Sequence, residues 1–495
     1  LTATDPEILR SELRRRYRNL KGLKVLPLQG SIASPGELTR IALKKAAYVI
    51  VLAEGLGMKN SFSDVTTIKT LMLINAKLNP VKRPNIVAEI VDADKLSIAN
   101  IVSEMQHPIV SSGQIISKII VQCARYPGYS AVYRELFSIK RTTIEVAKVN
   151  HKEGDAFGEI ACRVSNGTAI GISWIKTENG KPRRVTILNP EPDFDLAEDD
   201  EIIVIRDIHT PLEISLKNPV GSSLGNDAEQ GDVKLSKRPN IKKVLIFSIS
   251  PNIEEIIREM NEHTMERLEI VLACKNAAEN CDLLSNQLNK RQGDVKDIFA
   301  TQPLIEPMEF DLEGTWSLES LNLSEFDAIY ILADESEVRV DADSRTVLLL
   351  VLIKSLQARN QETKFPPVVA EILDQQTLDL LEGAPINDAV ISTEFLSNLL
   401  LQVARNPFLE TIYRELLNAG GVEMGFRPVE RYTTVGDKVR HCDIVSAAQN
   451  LNETVIGYRI FEESNPSIVI NPNKNDRFIF SREDQLIVLA QQLYT

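Results

Sequence analysis

The sequence predicts an α/β protein built from two tandem copies of one unit, each a doubly wound parallel-sheet lobe followed by a small β-rich lobe. Two observations predict it. First, VQCARYPGYSAVYREL (121–136) returns as LQVARNPFLETIYREL (401–416), with Gln122, Ala124, Arg125, Pro127, Tyr133, Arg134, Glu135 and Leu136 matched by Gln402, Ala404, Arg405, Pro407, Tyr413, Arg414, Glu415 and Leu416. Second, short apolar β-branched runs alternate with helical segments in the front of each copy and give way behind to period-two strands broken by Gly, Asn and Pro.

The repeat keeps its order along the chain, as duplication of a whole unit requires. AAYVIVLAE (46–54) answers FDAIYILAD (326–334), and NIVAEIVDADKL (85–96) answers PVVAEILDQQTL (367–378). Further on, Gly154-Asp155 answers Gly436-Asp437, ILNP (187–190) answers VINP (469–472), and EDDEIIVI (198–205) answers REDQLIVL (482–489). In the second copy VLIFSI (244–249), EIVLAC (269–274) and AIYILA (328–333) read as parallel strands, with NIEEIIREM (252–260) and SRTVLLLVLIKSLQ (344–357) as helices. The back lobes carry TTIEVAKV, TAIGISWI, RRVTIL and EIIVIRD as alternating strands. The expected division is a front lobe with crossover helices at 1–142, a back lobe at 143–210, a polar Gly/Ser-rich linker at 211–240, a second front lobe with crossover helices at 241–422 and a second back lobe at 423–495. The second sheet begins near Lys243, whereas Leu1 takes the place of Leu272, so the first copy is expected to lack its first strand and helix.

Each front lobe ends in an apolar helix that Pro127 or Pro407 halts, followed by an amphipathic helix, YSAVYREL or LETIYREL. Such an elbow is an arm, suited to exchange between neighbours or to packing two lobes together. The apolar faces beside Pro127 and Pro407 exceed what one unit's core requires, which predicts self-association through them.

Composition narrows the function. A net charge of −13 with no dense basic stripe argues against a nucleic-acid partner. Five cysteines without a CxxC pair fit a reducing compartment rather than a disulfide framework or a zinc site. No apolar run reaches the roughly 20 residues a bilayer span needs. The five histidines are scattered, and no HExxH, GxSxG or P-loop is present, so no catalytic residues are assigned.

A dinucleotide would need glycines at the first strand–helix turn. The second copy reads IFSISPNIEE there, Ala3 stands where a ribose-gripping acid belongs, and the glycines of GLG (55–57) follow a later strand, so a nucleotide is not expected. Hard cations want converging carboxylates. Asp334, Glu335, Glu337, Asp341 and Asp343 follow a strand end; Asp193, Asp195, Asp199 and Asp200 lie in DFDLAEDDE (193–201) between two back-lobe strands. Asp334, Glu335, Asp341 and Asp343 form the first candidate metal set and Asp193, Asp195, Asp199 and Asp200 the second, with calcium the candidate ligand. No EF-hand spacing is present.

The order of these pieces resembles a tandem pair of RCK domains, the regulators of conductance beneath cation channels, each with a Rossmann-like front lobe. More narrowly, Asp334-Glu335-Ser336, Asp343-Ser344-Arg345, Glu371-Ile372-Leu373-Asp374, Glu423-Met424, Arg427-Pro428, Glu430 and Val455-Ile456-Gly457-Tyr458-Arg459 resemble the Castor/Pollux ion-channel family. In the first half, Gly30-Ser31, LKKAAYVIVLA (43–53), Ser63-Asp64 and Asn189-Pro190 fit the same family. The resemblance implies the cytosolic gating-ring region of a cation channel, a homotetramer on the cytoplasmic face of a membrane with a pore domain upstream. Two alternatives stand beside it. One is a peripheral tandem-RCK subunit of a potassium-uptake system, which normally keeps glycine-rich nucleotide loops. The other is an NAD-dependent oxidoreductase, which needs a dinucleotide turn and a base that this sequence lacks.

Overall fold

The structure is a computed structural model and describes residues 1–491 apart from residue 3 and segments 18–21, 54–60, 79–82, 104–105, 179–180, 216–239, 265, 292–301, 313–321, 335–338, 360–364, 382–385, 419–420 and 462–465. The first front lobe contains α1 (Pro6–Arg16), α2 (Pro35–Arg40), β1 (Tyr48–Val51), α3 (Ser61–Lys77), β2 (Asn85–Ile90), α4 (Leu96–Val102) and β3 (Ile109–Ser111), and ends in α5 (Ser112–Arg125) and α6 (Tyr129–Leu136). Its back lobe contains β4 (Thr142–Ala147), α7 (Phe157–Arg163), β5 (Gly167–Glu178), β6 (Lys181–Leu188) and β7 (Glu201–Asp207).

The second front lobe runs through β8 (Lys243–Phe247), α8 (Ile253–Glu262), β9 (Glu269–Cys274), α9 (Ala277–Arg291), β10 (Leu304–Glu309), β11 (Ala328–Ile331), α10 (Arg339–Arg359), β12 (Val368–Ile372), β13 (Asp388–Ile391), α11 (Ser392–Arg405) and α12 (Leu409–Leu416). The second back lobe holds β14 (Glu423–Pro428), β15 (Lys438–Arg440), α13 (His441–Gln449), β16 (Glu453–Phe461), β17 (Pro466–Ile470), β18 (Arg477–Ile479) and β19 (Gln485–Ala490).

The second front lobe is a six-stranded sheet in the order β10-β9-β8-β11-β12-β13, parallel throughout. This is a doubly wound order that reverses between β8 and β11. Its strands read as unbroken apolar runs because helices cover both faces: Leu245, Phe247, Ile329, Ile331, Val368, Ala370 and Ile372 share a core with Leu349, Leu350 and Ile353 of α10. In the first front lobe β1, β2 and β3 form a parallel sheet, and Thr2 bridges Gln29 in parallel as β9 pairs with β10. Its elements therefore correspond to those of the second lobe from β9 onward. The back lobes are antiparallel four-stranded sheets, β4-β7-β5-β6 and β14-β19-β16-β17.

Two features add to the sequence reading. The back lobes are not purely β: α7 and α13 pack over their sheets, with Phe157, Ile160 and Ala161 in one core and Ile444 and Ala448 in the other. Both helices are short, and FGEIACR carries a glycine inside, so neither displays a helical period long enough to read. α10 also begins at Arg339, ahead of the expected Ser344, because RVDAD is polar enough to look like loop. Asp341 and Asp343 thus sit in its opening turns. Residues 216–239 of the expected linker at 211–240, and GLG at 55–57, lie outside the described residues.

Packing divides the chain into two compact bodies, Leu1–Gln114 with Leu400–Glu410, and Ile115–Leu399 with Thr411–Thr495. The bend at Pro407 thus groups with the first front lobe, and the bend at Pro127 with the second.

Candidate sensing sites and the docked elbow

At the carboxyl ends of the strands both repeats build the same carboxylate scaffold. In the first, Asp64 on α3 accepts the amides of Val91 and Asp92 at 2.9 and 3.0 Å and faces Lys95 Nζ at 3.3 Å, while Glu89 accepts the Ala53 amide at 3.1 Å. In the second, Asp343 on α10 accepts the amides of Leu373 and Asp374, each at 2.9 Å, and the Thr377 hydroxyl; Glu371 accepts the Ala333 amide at 3.2 Å. The turn after β2 or β12 exposes amides that no strand partner takes, and an acid reaching across from the neighbouring helix satisfies them. Burial pushes the Glu89 carboxyl above the usual carboxylate range.

The first candidate metal set is therefore split. Asp343 is buried, with both carboxylate oxygens taken up by the chain itself. Asp334 is half-buried just past β11, Asp341 lies in the first turns of α10, and Glu335 and Glu337 fall outside the described residues. Of the second set, Asp193, Asp195 and Asp199 are exposed in the loop between β6 and β7, and Asp200 Oδ2 accepts the Ala197 amide at 2.9 Å. Among the described residues no group of three or more His, Cys, Asp or Glu side chains converges as a metal cage.

The strand–helix turn after β8 contains no glycine, and Ser248 takes a left-handed φ of 69° there. Ala3 lies outside the described residues. Burial raises both Cys274 and Cys281 to about 11, which keeps them as thiols and fits packing rather than redox chemistry.

The most elaborate polar constellation lies where the first repeat's elbow meets the second front lobe. Pro127 and Gly128 turn the chain between α5 and α6, with Gly128 at φ 102°. Asp388, at the start of β13, accepts the amides of Gly128 and Ser130 at 2.7 Å each, so an acid from one repeat caps a helix of the other. Arg459 donates to the Pro127 carbonyl at 2.8 Å while its guanidinium lies over Phe426 and Phe461. Beneath the turn, Tyr129 donates to the Met424 carbonyl and packs edge-on against Phe426, and Phe137 meets Tyr413 and Phe395 edge-on. At the end of α5, Arg125 lies 2.8 Å from His263 Nδ1, and His263 Nε2 is 3.0 Å from Glu259. The apolar face of α6 that the sequence left for a neighbouring copy is thus buried within one chain. Arg459 belongs to a stretch the sequence had marked; Asp388, in PINDAV, reads as an ordinary solvated turn acid, and Pro108 stands at its place in the first repeat.

The two back lobes join in a near-symmetric contact. Thr168 donates to Asn471 at 2.9 Å and Thr454 to Asn189 at 2.7 Å, so the two Asn-Pro corners are clasped by the matching threonine of the opposite repeat. Each asparagine has a positive φ and sends its own amide back to its sheet, to Ile170 or Ile456. Lys474 reaches the Ala161 carbonyl in the last turn of α7, and burial pulls its amine down to about 8.

A family profile described as "Castor and Pollux, part of voltage-gated ion channel" matches residues 113–219, which span α5, the elbow and the first back lobe. Over 99% of the chain the sequence is 25% identical to the ion channel CASTOR of Lotus japonicus, and over the same share 25% identical to a probable ion channel POLLUX of Arabidopsis thaliana. The chain is similar to the Castor and Pollux channels along nearly its whole length. It spans 58% and 60% of those two proteins. The fold is that of the human SLO3 gating ring, on which the chain superposes with a TM-score of 0.64, covering 94% of this chain and 91% of that one at 14% identity. No helix among the described residues is long and apolar enough to cross a membrane.

Proposed function

We propose that this chain is the non-enzymatic, ligand-sensing gating-ring region of a Castor/Pollux-like cation channel, assembling as a homotetramer on the cytoplasmic face of a membrane and acting on a pore carried by the same polypeptide. One observation carries the reading: similarity to proteins named as ion channels runs along 99% of the chain, through both repeats. The docked elbow and the clasped back lobes support it mechanically. A ligand that shifts one lobe moves the other, because Asp388, Arg459 and the two asparagines tie the repeats together.

Calcium, ahead of magnesium, is the regulator in this reading, since flexible loops offer it six to eight oxygens whereas magnesium requires a tight octahedron. The described carboxylates do not converge, so a bound cation would have to gather them, and a site that forms in only one arrangement favours that arrangement. Calcium titration followed by small-angle scattering tests this, with Asp193→Asn plus Asp199→Asn and, separately, Asp334→Asn plus Asp341→Asn. The expectation is a calcium-dependent change in the assembly that one pair abolishes. No response of the wild-type protein would remove calcium sensing; a response kept by both pairs would remove these sites. The two rivals from the sequence gain no separate support: the relatives are named as channels, and the turn after β8 has no glycine.

A further inference from the structure

We propose that Asp388 is a proton-operated latch that holds the first repeat's elbow on the second front lobe more tightly as the surroundings acidify. Asp388 is 2% exposed, and both of its oxygens are spent on amides at the start of α6, a helix of the other repeat. Docking therefore encloses a carboxyl that release would return to water. Among the described residues the groups facing it are the Cys123 thiol from α5, the Ser130 hydroxyl and amide and the Gly128 amide from the elbow, and Arg459 from β16, with Arg134 of α6 near Cys123. Cys123 is itself buried and held as a thiol, so among the described residues Arg459 is the cation against Asp388, and it is partly engaged elsewhere, with Pro127 and two aromatic faces.

Enclosure wins over these partners and lifts the Asp388 carboxyl to about 6, chiefly by burial, against about 3.9 in water. The sign follows from linkage. A group whose pKa is raised in the docked form gives stability that is complete below its released value and is lost as pH rises through its docked value. Docking should thus be about tenfold more favourable at pH 5 than at pH 7.5, with most of the change between pH 5 and 6.5. In the first repeat Pro108 holds the matching position, so this chemistry exists at one elbow.

Hydrogen–deuterium exchange on the 495-residue chain tests the latch, reading peptides over 126–137 with intrinsic exchange rates corrected for pH, and peptides over β11 and β12 as the reference for global opening. The expected result is an approximately tenfold gain in elbow protection from pH 7.5 to 5 in the wild type, absent in Asp388→Asn. Should Asp388→Asn fail to fold, Arg459→Met decides: losing the cation should move the midpoint to higher pH. Flat wild-type protection, a pH response kept by Asp388→Asn, or an unmoved midpoint in Arg459→Met would each overturn the proposal.

Discussion

Gly171 and Gly457 occupy the same bulge in the two back lobes, where the register of β5 or β16 slips against its neighbour. A Cβ there would stand 2.4 Å from the Ile187 carbonyl oxygen or 2.2 Å from that of Val469, backbone atoms that cannot swing aside. Gly436 makes the opposite case, with a φ of 86° and open space around it. Gly457→Ala should therefore cost about 3 kcal/mol, as overpacking against backbone does, and Gly436→Ala about 1 kcal/mol, the strain of a left-handed alanine. Urea unfolding monitored by circular dichroism separates them; equal losses would mean that the bulge relaxes. The bulge also explains why TAIG and TVIG recur: the threonine two residues before the slip, Thr168 or Thr454, reaches the opposite Asn-Pro corner.

At the scale of elements, α6 shows what the sequence could and could not disclose. Its amphipathic pattern and the preceding Pro127 were legible, because a 3.6-residue period and a ring without an N–H are local properties. Its partner was not, because Tyr129, Tyr133 and Phe137 look the same whether they bury against a second copy or against β14 and α12. The parallel strands were equally plain, since a strand covered on both faces is a continuous apolar run. Asp343 was marked as a candidate cation ligand because an acid run after a strand says nothing of the backbone amides folded onto it. The packing of α6 has a measurable weight. Phe137→Ala should destabilise the second body by about 4 kcal/mol through cavity formation, whereas Tyr129→Phe, which removes one hydrogen bond and no volume, should cost about 1 kcal/mol. If Phe137→Ala unfolds at the wild-type urea midpoint, the elbow is not part of the cooperative core.

At the scale of the whole molecule the proposed assembly needs a surface between copies, and the apolar face of α6 is spent inside one chain. The helices α3 and α10, which follow β1 and β11, are the candidates. On α10, Leu348, Val351 and Leu352 are 46%, 57% and 38% exposed, and on α3 Met72, the counterpart of Val351, is 56% exposed. Leu348, Val351 and Leu352 stand at i, i+3 and i+4, which makes one stripe on one face of a helix whose opposite face fills the core. Isolated apolar side chains on a surface need no explanation, but a stripe such as that on α10 does. A second copy of this chain, bringing the same stripe, is the partner that the ring reading supplies. Val351→Asp would put a charge at the centre of that stripe without touching the core, so it should leave the urea midpoint of the isolated chain within about 0.5 kcal/mol of wild type while weakening self-association at least tenfold. Sedimentation velocity across a concentration series reads the second quantity directly. An unchanged association constant with a soluble, folded variant would exclude α10 as the contact between copies and return the question to the remaining exposed faces of the front lobes.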